Sequence, residues 1–149
     1  MIYQPKFFEI QELVCEHVYD KWAGKPDFIL NFFDPRLLVT LDFIRERLGK
    51  PITVNNWKIG GSFSQRGLRC NICDLVASKT KKGQIYMSSH SLGKACDFDV
   101  EGMSAKEVRD YIVRHADELP YPISLEDDVT WVHLDMRFLN NKKVYLFKA

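Results

Sequence analysis

VTWVHLDMRF, residues 129–138, and CDFDV, residues 96–100, are the two stretches whose reading decides the fold. Successive side chains of a strand point to opposite faces. In the first stretch Trp131, His133, Asp135 and Arg137 share one face, and Val132, Leu134, Met136 and Phe138 share the other. In the second, Cys96, Phe98 and Val100 face one way and Asp97 and Asp99 the other. Each strand therefore has an apolar back for a core and a front of functional groups. As neighbours in one sheet they bring His133 to Asp97. His90 lies upstream in MSSHSLGKACDFDV (87–100), beyond Gly93, where glycine permits a turn forbidden to larger residues. It can fold back over the same point.

His90, Asp97 and His133 suit a zinc ion (Zn2+) with one position left for water. Such an ion lowers the pKa of its water toward ~7 and polarises a carbonyl oxygen. Taken singly, each residue has a plainer reading: Asp97 and Asp99 as solvated strand residues, His90 as a loop histidine with no partner. The joint pattern favours the metal. Asp99 and Asp135 then read as carboxylates that orient the imidazoles.

The rest of the chain supplies a scaffold. Phe8 to Trp22 reads as an amphipathic helix, ended by Gly24 and Pro26. Asp34 and Pro35 open a second helix as N-cap and first residue, with Leu37, Leu38, Leu41, Ile44 and Leu48 as its buried stripe and Gly49 as its stop. ITVNNW (52–57) reads as a strand, and residues 58–87 as a long loop with a short helix near 69–78. Ser104 and Glu107 form a capping box for a helix running to about Glu118 and burying Val108 and Ile112. Asn140-Asn141 reads as a turn leading to KVYLFK (143–148), the returning strand of a hairpin. This order predicts an α+β fold, a mostly antiparallel sheet with helices on one face. It forms a single domain over 1–149, with N-terminal helices at about 8–48 and a metal-site core at about 52–148.

Bulk properties narrow the function. The net charge of +1 provides no basic footprint for nucleic acid. No apolar run approaches the ~20 residues of a membrane span, and the N-terminus lacks the pattern of a signal peptide. The expectation is synthesis in the cytoplasm as a monomer, with any action on a cell wall following lysis or export by another route. Of the four cysteines, Cys70 and Cys73 have CxxC spacing, but no second CxxC or HxxxH follows to complete a structural zinc site. Together with Cys15 and Cys96 they read as reduced thiols. His17 and His115 read as packed or surface residues of helices.

Ser88, His90, Gly93, Ala95 and Asp97 match SxHxxGxAxD, and Trp131, His133 and Asp135 match WxHxD. Over residues 52–138 the chain thereby resembles the zinc D-Ala-D-Ala carboxypeptidase and L-alanyl-D-glutamate endopeptidase family, peptidase family M15. The resemblance implies a fold shared with the Hedgehog signalling domain (Hedgehog/DD-peptidase-like) and zinc held by His90, Asp97 and His133. It also implies hydrolysis of a peptide bond in the peptidoglycan stem peptide, as carboxypeptidase or endopeptidase. A phage or prophage lysis enzyme (endolysin) or tail-associated enzyme fits, as does an exported bacterial one. SFSQRGLRCN is similar to a family segment in which Arg66 and Asn71 have the expected spacing. By that resemblance Arg66 binds a substrate carboxylate or carbonyl, a task suited to a guanidinium fork, with Arg69 as competing candidate. Ser88, Asn71 and Trp131 are further candidate substrate contacts. Trp57 and Trp131 also read either as walls of a cleft or as core packing.

One position departs from the family. The residue three before the second zinc histidine is often a catalytic Glu or Asp; here it is Thr130, whose hydroxyl cannot take a proton at neutral pH. In SLEDDV, Glu126 is the favoured replacement and Asp128 the second, although Glu126, Asp127 and Asp128 also read as an acidic surface turn. Thr130 therefore keeps open an alternative of another class, a zinc-containing binding module without hydrolytic activity. A structural domain with no metal is the third option.

Overall fold

A computed structural model of the chain describes residues 1–137 and 141–149. The strand end read at Phe138 and the turn read from Asn140 lie outside the described residues. Six α-helices occur among those described: α1 (Ile10–Leu13), α2 (Glu16–Lys21), α3 (Pro26–Leu30), α4 (Pro35–Leu48), α5 (Asp74–Thr80) and α6 (Ala105–Arg114). The strands are β1 (Ile52–Thr53), β2 (Ala95–Val100), β3 (Ile123–Glu126), β4 (Val132–Asp135) and β5 (Val144–Phe147). They form one mixed sheet in the order β1-β2-β4-β3-β5. All pairings are antiparallel except β3 with β5. The class is α+β, as expected.

The central pairing places Cys96 opposite Leu134, Asp97 opposite His133 and Phe98 opposite Val132. Facing pairs in register lie on the same side of a sheet. Phe98, Val132 and Leu134 are wholly buried. They join Leu37, Leu41 and Ile44 of α4 and Val108 and Ile112 of α6 in a single core. Burial of a side chain of this size contributes ~1.5–3 kcal/mol. With the apolar back of β2 and β4 committed to the core, Asp97, Asp99, His133 and Asp135 must all project from the front.

The helix signals are satisfied in two places. Asp34 caps α4 by accepting from the Arg36 N–H at 3.0 Å, and Gly49 ends it in the left-handed conformation. Ser104 and Glu107 close the capping box of α6.

Elsewhere the structure corrects the sequence reading. The helix expected over residues 8–22 is split into α1 and α2, because Val14 is extended and bridges Leu68. Leu68 donates to the Leu13 carbonyl at 2.8 Å, and Cys15 donates to the Leu68 carbonyl at 3.1 Å. Leu13, Val14 and Val18 are all buried, so the apolar pattern persists through the break and hides it. Pro26 does not end a helix but starts α3 from its first position. Of ITVNNW only Ile52 and Thr53 pair as a strand, and the loop helix lies at 74–80 rather than 69–78. The expected hairpin is absent among the described residues. β5 runs parallel to β3, and β3 lies between it and β4. β3 itself falls partly within the run read as an acidic turn; its alternation shows only as Ile123 and Leu125, both wholly buried. No helix among the described residues is long and apolar enough to cross a membrane.

Candidate metal centre

His90, Asp97 and His133 each offer a donor atom within 4.8 Å of the others, and all three are buried. Asp97 sits between the imidazoles. Its Oδ1 is 2.7 Å from His133 Nδ1, and its Oδ2 is 3.4 Å from His90 Nε2.

The surroundings fix which nitrogen each ring presents. His90 Nδ1 is 3.0 Å from the Gly67 carbonyl, which can only accept. Nδ1 therefore carries the proton, and in the neutral ring Nε2 keeps its lone pair toward Asp97. His133 Nε2 lies 3.4 Å from Asp135 Oδ2, leaving Nδ1 on the Asp97 side. Each imidazole is thus held from behind by an oxygen, as metal-bound histidines ordinarily are. Asp135 is held in turn by the Ser89 hydroxyl at 2.8 Å, the Arg137 backbone N–H at 2.7 Å and Arg137 Nε at 2.8 Å. Arg69 donates to Asp97 Oδ2 at 3.2 Å.

Burial alone would push both carboxyl groups up. Hydrogen bonds from His133 and His90 outweigh it at Asp97, and those from His133, Arg137 and Ser89 outweigh it at Asp135, so both are held well below the usual range. Burial lowers His133, but its bonds to Asp135 and Asp97 prevail and lift it to about 9. Asp97 and Asp135 thus stay ionised on either side of His133, and a cation bound between the rings would displace the proton they hold on it. Two nitrogens and one carboxylate oxygen fit a zinc ion with a position left open.

Two cavities meet at this point. One, of about 420 Å³, is lined by Phe63, Arg66, Asp99 and Thr130 among others. The second, of about 310 Å³, is lined by Ser88, His90, Glu126 and His133 among others. Arg69, Asp97 and Trp131 line both, so open space lies on either side of Asp97, while His90 and His133 face the second cavity alone.

The remaining sequence candidates divide. Glu126 reaches the second cavity because β3 is a strand. Ser124 is in register with Asp135, and alternation puts Glu126 on that same face, the face of His133. A turn is not what carries it. Asp128 lies apart: it occupies an exposed turn at φ 60° and pairs with Lys148. Arg66 lines the first cavity, stacked over Phe63 with its guanidinium carbon 4.1 Å from the ring centre. Asp99 binds Arg66 Nη1 at 2.8 Å and touches neither imidazole, which corrects its expected role. Ser88 is buried with its hydroxyl accepting from the His90 N–H at 3.2 Å. Asn71 is exposed and lines neither cavity. Trp131 is 39% exposed and walls both, while Trp57 donates to the Val14 carbonyl and belongs to the scaffold.

Sequence reasoning missed Ser89 and Arg109. Arg109 is buried in α6 and donates to the carbonyls of Val129 and Trp131 at 3.1 and 3.0 Å, holding the loop that carries Thr130 and Trp131. An arginine among apolar helix positions was the available signal. A further correction concerns the cysteines: Cys15 and His17 join Cys70 and Cys73 in a second group able to hold a metal. No family model, curated protein or solved structure matches this chain.

Proposed function

We propose that the chain is a zinc-dependent peptidase that cleaves a peptide bond of the peptidoglycan stem peptide. The observation that carries this reading is the convergence of His90, Asp97 and His133 where the two cavities meet. A zinc ion held by these three residues would supply Lewis-acid polarisation of a carbonyl and a water acidic enough to serve as nucleophile. The chain's own groups do the rest. Gly67 and Asp135 fix the rings, and Arg69 fixes the carboxylate, so no reorganisation is needed when substrate arrives. Glu126 faces the same space as His90 and His133. In this reading it takes a proton from the attacking water and returns it to the departing amine. Trp131 walls the path of the peptide, and Arg66 lines the far cavity for a carboxylate or carbonyl of the stem. Space on both sides of Asp97 suits a substrate that continues past the scissile bond, which favours an endopeptidase over a carboxypeptidase.

Digestion of purified peptidoglycan tests the reading. The expected result is the release of new amino and carboxyl termini, abolished by a chelator and restored by zinc. Metal binding without such release would establish the inactive binding module that Thr130 keeps in view.

Glu126→Gln tests the proton carrier. It keeps the shape and removes the basicity, so kcat should fall by roughly 10²–10⁴-fold, the usual span for a general base. Zinc content and melting temperature should stay at wild-type values. Undiminished turnover would retire the assignment.

A further inference from the structure

Outside the proposed catalytic centre, two ligand pairs distant in sequence converge: Cys15 with His17, and Cys70 with Cys73. One donor atom from each lies within 4.8 Å of every other. Cys70 Sγ is 3.4 Å from His17 Nδ1 and 3.7 Å from Cys73 Sγ, and Cys73 Sγ is 3.7 Å from His17 Nδ1. These three spacings, among His17, Cys70 and Cys73, match one face of a coordination tetrahedron, with Cys15 within reach of its fourth corner. Zinc bonds of about 2.3 Å to sulfur and about 2.0–2.1 Å to nitrogen, at tetrahedral angles, separate two sulfurs by about 3.8 Å and sulfur from nitrogen by about 3.6 Å.

The local backbone serves the arrangement. Cys15 is the residue before α2 and Cys73 the residue before α5, each extended and outside the helix it precedes. The two segments are stitched by the Val14–Leu68 bridge, which delivers Cys15 beside the CxxC turn. Cys15 and Cys73 are buried, whereas Cys96, buried on the core face of β2, takes no part.

We infer that Cys15, His17, Cys70 and Cys73 form a second, structural zinc site of the Cys₃His type. Four protein ligands leave no open position for water or substrate, so its role is to fasten rather than to react. It ties the α1–α2 segment to the loop that supplies Arg66, Gly67 and Arg69 to the neighbouring centre. Its ligands span 53 positions between His17 and Cys70. A metal clip closing a chain segment of that length removes much of the freedom of the unfolded state. The inference is independent of the peptidase reading and survives its failure.

Metal analysis and cobalt spectroscopy test it. Wild-type protein purified from zinc-supplemented growth should hold two zinc ions per chain, and the Asp97→Ala variant one. Exchange with cobalt(II) should give a thiolate-to-cobalt charge-transfer band in the near ultraviolet. Only the cysteine site can produce that band, since His90, Asp97 and His133 contain no sulfur. The wild-type spectrum therefore decides the matter even if a variant fails to fold. A folded, cobalt-treated protein lacking the band, with Cys15, Cys70 and Cys73 open to a thiol reagent, would overturn the proposal. So would an Asp97→Ala variant that folds and carries no zinc.

Discussion

On the proposed peptidase reading, Asp97→Ala is expected to cost the chain one zinc ion and to lower activity on peptidoglycan by roughly 10³-fold or more, since the metal's Lewis acidity contributes several kcal/mol and each 1.36 kcal/mol is tenfold. Asp97 is the only anion among the three ligands, and it lies between both imidazoles. Without it the two rings and the Arg69 guanidinium face one another with no intervening negative charge. A cation entering there meets a donor set that is one oxygen short and a nearby positive charge. Asp97→Asn keeps the volume and one oxygen but not the charge, and should lose zinc similarly. Zinc per chain, turnover and thermal melting are the measurements. Full activity in a folded variant that has lost this ion would remove the centre from the mechanism.

Gly93→Ala should produce the largest loss of stability, roughly 3 kcal/mol or more, through left-handed strain and a backbone clash acting together. Gly93 sits at φ +66°, and an added Cβ would stand 1.9 Å from the Phe32 carbonyl oxygen and 2.8 Å from its carbon. Neither atom can swing aside, because the Gly93 carbonyl itself accepts from the Asp34 N–H at 2.9 Å, tying this turn to the cap of α4. For a domain of this size that loss lowers the melting temperature by about 6–12 °C. Gly83 is the control. It has a similar φ of +64° with nothing within 4 Å of an added Cβ, so Gly83→Ala carries only the conformational cost. Equal melting of the two variants would show that Phe32 does not crowd the turn.

Legibility in the sequence followed the range of the interaction. The alternation at 96–100 and 131–136 depends only on neighbours along the chain, and it correctly assigned the faces of β2 and β4. The caps at Asp34 and Ser104 are equally local. β3 was hidden because Pro120 and Pro122 precede it and it ends on Glu126, just before Asp127 and Asp128, leaving two buried apolar side chains, Ile123 and Leu125, to mark a strand. Its parallel pairing with β5 depends on tertiary order that no local pattern encodes. The break at Val14 was hidden for a different reason. A bridge to Leu68 overrides helix propensity there while the same apolar side chains stay buried. That bridge also brings together the cysteine–histidine group. A CxH pair upstream of a CxxC pair was visible, but nothing local says that the two meet. At the centre itself His90, Asp97 and His133 were legible as residues. The Gly67 carbonyl that holds His90 and the Ser89 hydroxyl that holds Asp135 behind His133 come from a loop with no periodic signal.

The ends of the sheet bear on how the chain behaves in company. A strand at the margin offers unpaired N–H and C=O groups to any other polypeptide, the usual route to domain swapping and fibrils. Here one margin is β1, whose two residues expose too short a ladder to seed an added strand. The other is β5, four residues long and flanked by Lys143 and Lys148, with Lys148 anchored on Asp128. Short margins bordered by lysine, as found among the described residues, discourage edge-to-edge pairing with another chain.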